Sequence, residues 1–204
     1  MSGASNQPTP HDVLLVMAHP AAASLTRDIA AAIMDAVRAR GHRIEMADLV
    51  AEGFDPVFGP ADHAAFTGAG ALPDDVRAEQ RRIDRADHLI LVYPVYWWGM
   101  PAVLKGWIDR VFVSGWAFDE DAGGGIAKRL GRLKVSLLAI GGAGEATYAR
   151  RGYRHAMQVQ IKAGILDFCG APLAVTTLVT PEQLTAPDVP QQIADTLVDR
   201  AMAT

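Results

Sequence analysis

Leu89-Ile-Leu-Val-Tyr-Pro-Val-Tyr-Trp-Trp-Gly-Met-Pro-Ala-Val-Leu-Lys-Gly-Trp-Ile-Asp-Arg-Val-Phe112 holds the organising pattern of the chain. Leu89 to Tyr93 is continuously apolar, as expected of a strand buried on both faces of a parallel sheet, and Pro94 ends it. Pro101 suits the first turn of a helix, where a missing N–H costs nothing. Leu104, Trp107, Ile108, Val111 and Phe112 then form one apolar stripe. The stretch is a strand, a loop and a helix in succession.

The same unit recurs on either side. Asp12 to Ala18 is a second buried-strand pattern, followed by a helix that Ser24 can cap. Ile29, Ile33, Ala36 and Val37 mark its buried face and Gly41 its end. Ile44 to Ala47 is a weaker strand, Glu52 to Pro73 has the Gly, Pro, Asp and Ala content of a long loop, and Asp74 to Arg85 is a charged amphipathic helix. Downstream, Val135 to Ile140 and Leu173 to Leu178 are expected strands, and His155 to Phe168 and Val189 to Met202 expected helices. Gly123-Gly124-Gly125 is a loop too short to link domains. Strict alternation of strand and helix predicts right-handed crossovers in an α/β, doubly wound sheet: five parallel strands in the order 2-1-3-4-5.

Composition narrows the function. The chain has 204 residues, half of them apolar, which suits one domain over 12–204. The net charge of -4 comes without a basic block, which speaks against nucleic acid and anionic membranes as partners. A single cysteine, Cys169, leaves no internal disulfide or thiolate cluster, and no metal is expected. Residues 1–11 are polar and proline-containing, so they are expected to form a disordered leader, not a signal peptide, in a cytoplasmic protein. Leu89 to Leu104, the most apolar run, is shorter than the ~20 residues of a spanning helix and is broken by Pro94, Gly99 and Pro101, so no integral membrane segment is expected.

In such a sheet ligands bind beyond the carboxyl ends of the strands, near the reversal of strand order. Three loops fall there. Ala18-His19-Pro20-Ala21-Ala22-Ala23-Ser24-Leu25-Thr26 places hydroxyls and free amides at a helix N-terminus able to hold a phosphate, although Ser24 as a plain cap and His19 bonded to nearby backbone fit equally. It carries neither the dinucleotide glycine pattern nor a Walker loop. Pro94 to Pro101 sets Tyr96, Trp97 and Trp98 in a row, suited either to core packing or to a mouth that stacks on a planar ring. Gly141-Gly142-Ala143-Gly144 is a turn that also permits close backbone approach to a ligand, with Tyr148, Tyr153, Arg154 and His155 just beyond.

At these residues the chain resembles the NAD(P)H:quinone oxidoreductase, or DT-diaphorase-like, branch of the flavodoxin-like superfamily. Tyr93 to Phe112 is close to its signature, and Ala18-His19-Pro20 with Ser24, Gly141-Gly142 and Gly164 to Gly170 follow in family order. The resemblance implies a bound flavin (FAD, alternatively FMN), NAD(P)H as co-substrate, a quinone or similar acceptor such as a nitro or azo compound, and a homodimer with sites at the subunit interface. It implies that His19, Ser24, Leu25 and Thr26 hold the phosphates, that Pro94, Val95, Tyr96, Trp97 and Trp98 line the ring, and that Gly141 and Gly142 bond it through their amides. Trp97, Trp98 and Phe118 would form the substrate pocket. Tyr148, displaced by about one position, is the candidate for the family's catalytic tyrosine, and Arg154 or His155 stands where its histidine is expected; the usual Thr before Gly-Gly is Ile140. Two rivals share the resemblance: a flavin-binding regulatory subunit of a potassium-efflux antiporter, and a one-electron flavodoxin-type carrier.

Overall fold

The computed structural model describes residues 10–120, 123–186 and 188–203, so residues 1–9 of the expected leader lie outside the described residues. In chain order the elements are β1 (Asp12–Met17), α1 (Leu25–Ala39), β2 (Arg43–Asp48), α2 (Pro60–Phe66), α3 (Asp74–Asp84), β3 (His88–Pro94) and α4 (Ala102–Val111). There follow β4 (Phe118–Glu120), β5 (Ile126–Lys128), β6 (Lys134–Ile140), α5 (Glu145–Arg151), α6 (Tyr153–Met157), a π-helical stretch Gln158–Leu166, α7 (Asp167–Cys169), β7 (Leu173–Val179) and α8 (Val189–Met202).

Five strands form one sheet in the order β2-β1-β3-β6-β7, every neighbouring pair parallel. Counted within that sheet, the order is the expected 2-1-3-4-5. The alternation of side chains along each strand divides the core in two. Leu14, Val16, Leu89, Leu91, Tyr93 and Leu137 face α3, α4 and the α5–α7 region, whereas Leu15, Met17, Ile90, Val92 and Leu138 face α1 and α8. Since β1 sends its crossover to one face and β3 sends its to the other, the loops after them part at the carboxyl edge and leave a crevice.

The expected loop over Glu52 to Pro73 contains α2, which opens on Pro60 with a local Asp62 cap and is fastened by long-range contacts. The Asp62 carboxylate accepts from the Gly59 amide at 2.9 Å and from Arg110 Nε at 2.9 Å, while Arg110 also pairs with Asp75 at 2.7 Å. Its guanidinium lies over the Phe54 ring as well. α4 can approach this loop only because position 106 lacks a side chain: a Cβ there would stand 2.2 Å from the Pro56 carbonyl oxygen. The helix expected over His155 to Phe168 starts as α6, behind Gly152 at φ 72°, and then widens into the π-helical stretch. β4 and β5, joined across the Gly123–Gly125 loop, form a short antiparallel pair with no counterpart in the expectations.

At the amino end of the sheet, His88 is buried and its Nε2 hydrogen-bonds Ser136 Oγ at 2.8 Å. Burial, helped by the charges of Lys134 and His11, holds its pKa down to about 4 from 6.5.

Two outcomes follow for stability. Gly106→Ala, which helix propensity alone would favour by ~1 kcal/mol, is expected instead to destabilise by about 2 kcal/mol through the Pro56 clash. Thermal unfolding checks it, and an unchanged midpoint would show that the two backbones do not touch. For His88 the unfolded chain binds a proton that the native state refuses, so stability is full above pH 6.5 and falls toward pH 4, by about 3 kcal/mol. Urea unfolding across that range should show the loss in the native sequence and a flatter profile in His88→Asn; equal profiles would remove His88 as the cause.

Candidate active site

β3 ends at Pro94, and the next amide, Val95 N–H, donates to the Ile140 carbonyl at 2.8 Å, which ties the following loop to β6. Tyr96 and Gly99 then exchange two backbone hydrogen bonds, at 3.1 and 3.0 Å, closing a two-residue turn. Its central residues are Trp97 at φ 47° and Trp98 at φ 61°. Positive φ at both centres is the geometry that usually takes Asn-Gly, and a bulky side chain there costs roughly 1–2 kcal/mol per residue. Trp97 recovers none of this by burial, being 94% exposed. Trp98 stacks on Tyr153, centroids 3.7 Å apart and planes 10° from parallel, and meets Tyr148 edge-on at 5.5 Å. Local strain of this kind gathers at functional sites.

Across from the turn lies the loop after β6. The Gly141 amide donates to the Val179 carbonyl at 2.8 Å, so it is not free for a ligand; this corrects the expectation that both glycines offer their amides. Continuation of the β6–β7 ladder by one residue consumes it. Gly141 matters for another reason, because a Cβ there would sit 2.4 Å from the Tyr148 hydroxyl. Gly142 has open space around its Cβ position, and its N–H has no partner among the described residues. Tyr148 is 1% exposed, yet its hydroxyl makes no hydrogen bond among the described residues. Burial raises its pKa above the ordinary phenol value, with Arg154 pulling it down and Glu145 pushing it up, so at neutral pH it remains a neutral donor. Val95, Trp97, Trp98, Gly142, Ala143 and Tyr148 together line a cleft of about 210 Å³.

At the other end of the crevice Ser24 caps α1, its Oγ accepting from the Arg27 amide at 3.3 Å. The amides of Leu25 and Thr26, in the first turn, have no intrahelical acceptor and lie at the positive end of the helix dipole. His19 is half-buried, with its Nδ1 accepting from the Ala21 amide at 3.1 Å. Both plain structural roles, the cap and the backbone-bonded histidine, are thus present, and both leave polar atoms over: the Ser24 hydroxyl proton and His19 Nε2. Arg27 donates through Nη2 to the buried Asp48 at 2.6 Å, while its buried Nε has no partner. An orphaned cationic donor beside a helix N-terminus fits an anionic group, and strained tryptophans opposite an open glycine amide fit a planar heterocycle. A flavin has both parts.

A family profile described as a flavodoxin-like fold matches residues 11–200. NAD(P)H dehydrogenase (quinone) 1 of Rattus norvegicus is 31% identical over 203 residues, spanning 89% of this chain and 73% of the relative. The chain belongs to the NAD(P)H:quinone oxidoreductase branch of the flavodoxin-like family. The protein of the same name from Cavia porcellus is 29% identical, over 88% of this chain and 72% of its own. The solved NAD(P)H:quinone oxidoreductase from Methanothermobacter marburgensis superposes with a TM-score of 0.78 at 26% identity, covering 95% of this chain and 97% of the other.

The quinone oxidoreductase fold does not bring every expected residue to the cleft. Arg154 pairs with Glu145 and its charge reaches Tyr148, whereas His155 is exposed and lines no part of the cleft. Phe118, on β4, packs its ring against Phe168 at 4.9 Å, just ahead of β7 and so toward the amino ends of the strands. Arg27 escaped the sequence argument, and Tyr153 was noted there without a role. Arg27 had a signal, a cation in a first helical turn where acidic residues are preferred. Tyr153 had only its aromaticity, since its partner is set by the turn.

Because Trp97 is strained and exposed, Trp97→Asn is expected to stabilise the ligand-free chain by about 1 kcal/mol in denaturant unfolding. A clear destabilisation would mean that Trp97 packs against the protein.

Proposed function

We propose that the chain is a flavin-dependent NAD(P)H:quinone oxidoreductase, acting as a cytoplasmic homodimer and carrying FAD, with FMN as the alternative. The observation that carries this is the left-handed Trp97–Trp98 turn facing the unpaired Gly142 amide and Tyr148 hydroxyl. The names of the relatives in both comparisons support the choice of donor and acceptor. When bound, the flavin supplies a two-electron carrier through which NAD(P)H reduces a quinone in two alternating half-reactions.

The chain's own residues position and stabilise. His19, Ser24 and the Leu25 and Thr26 amides hold phosphate at the positive end of α1. Pro94, Val95 and Tyr96 bring the loop to the ring edge, and Trp97 and Trp98 give the planar reactants a dry slot in which each in turn lies parallel to the ring. The Gly142 amide donates to the ring. Tyr148 donates its O–H wherever negative charge develops, and the Arg154 guanidinium adds a positive field nearby. Arg154 needs no protonation to do this, unlike the histidine for which His155 was the other candidate. Phe118, remote from the cleft of its own chain, serves a substrate pocket only across the contact of a dimer.

Purified protein should absorb as a flavoprotein, bleach with NADH or NADPH and recover its colour with a quinone, and the mass of the released chromophore separates FAD from FMN. Tyr148→Phe should retain its flavin and bleach at least about tenfold more slowly. Colourless protein that neither flavin reconstitutes would overturn the function; unaltered bleaching in Tyr148→Phe would remove that residue from the reaction.

A further inference from the structure

Trp98 touches two tyrosines carried by consecutive helices. Tyr148 belongs to α5 and Tyr153 opens α6, and the chain turns between them at Gly152, where φ is 72° and the amide donates back to the Ala149 carbonyl at 3.3 Å. Left-handed backbone at that glycine ends one helix and starts the next in a new direction, so the second tyrosine reaches the indole that the first already meets.

The two contacts differ in kind. Tyr148 meets the indole with the rings 82° apart and lines the cleft, whereas Tyr153 lies on the indole face at 3.7 Å and 10° and lines no part of the cleft. At that spacing the faces are in carbon–carbon van der Waals contact, and no third ring fits between them. Tyr153 is half-buried and packs, as Trp98 does, against the core layer under α3 and α4. Its hydroxyl makes no hydrogen bond among the described residues, so the flat ring is what it contributes.

The turn needs such a support. Positive φ at both Trp97 and Trp98 disfavours their side chains, and Trp97, almost wholly in solvent, gives nothing back. The Tyr96–Gly99 hydrogen bonds close a two-residue turn whatever its central residues are. What offsets the strain is contact made by Trp98, and the broadest such contact is the face that Tyr153 covers.

We propose that Tyr153 is a positioning residue that acts through Trp98: its ring holds the Trp97–Trp98 turn in the left-handed form that walls the cleft, and by covering one face of Trp98 it leaves Trp97 as the tryptophan of the pair with both faces open to a planar ring. The hold on the turn stands on the geometry alone, while its consequence for a bound ring rests on the flavin reading of the cleft.

Amide hydrogen exchange of the ligand-free full chain tests the hold directly. In Tyr153→Leu, which keeps an apolar group and removes the flat face, the Tyr96 and Gly99 amides should exchange at least about tenfold faster. Leu91 and Leu138, in the interior strands, should keep their native rates and so show that the variant is folded; if they do not, Tyr153→Met takes its place. Tyr153→Phe, which lacks only the unbonded hydroxyl, should exchange as the native chain does. Titration with FAD and with FMN should follow the same order, with a dissociation constant about tenfold higher in Tyr153→Leu and native in Tyr153→Phe. Unchanged exchange at Tyr96 and Gly99, or an acceleration that Tyr153→Phe shares, overturns the proposal. Faster exchange with unchanged flavin affinity overturns its consequence for the ring. A native chain that takes up neither flavin overturns the flavin reading, and the exchange rates still decide the hold of Tyr153 on the turn.

Discussion

Everything at the carboxyl edge depends on one backbone constraint: the chain leaving β3 must reverse within two residues, and both are tryptophans at positive φ. The turn is held from below by the Val95–Ile140 bond and from the side by the Trp98–Tyr153 stack. These contacts leave Trp97 in solvent and set Trp98 against Tyr148. Tyr148 in turn excludes a side chain at Gly141, and the Gly141 amide closes the β6–β7 ladder, so the open amide of the loop is that of Gly142. One strained turn thereby fixes an aromatic wall, a donor hydroxyl and a donor amide around a single cleft.

The strain makes sense as a division of labour between the ends of the sheet. The interior strands are buried on both faces and their two apolar layers, one under α1 and α8 and one under α3 and α4, are continuous. The buried Arg110 cluster locks the long segment after β2 onto α4. A rigid body of this kind tolerates a few kcal/mol of unfavourable backbone at one edge, which a soft loop alone could not maintain.

Much of this was legible in the sequence. The apolar runs at 12–18, 89–93 and 135–140 could only be interior strands, and the prolines at 94 and 101 bracketed the loop that matters. Tyr148, Trp97 and Trp98 were singled out by their place after strands, and the fold brings them to one cleft. What was not legible depended on distant partners. α2 is fastened where Asp62 meets Arg110, 48 positions away, and no local periodicity reports that. The loss of the Gly141 amide to Val179 is decided by sheet register, and the nearness of the Arg154 charge to Tyr148 by how α6 follows α5 in space. The π-helical widening also has no simple sequence signature, because Gln158–Leu166 has the composition of an ordinary helix.

The crevice joins two different chemistries: a helix N-terminus with the unpaired Arg27 Nε, and an aromatic cleft elsewhere along the same edge. A crystal structure of the flavin-reconstituted chain tests their union most directly. The account requires the ring against Trp97 and Trp98, within hydrogen-bond reach of the Gly142 amide, and the phosphate at the α1 N-terminus. A flavin bound elsewhere, or a ring turned away from both tryptophans, would contradict it.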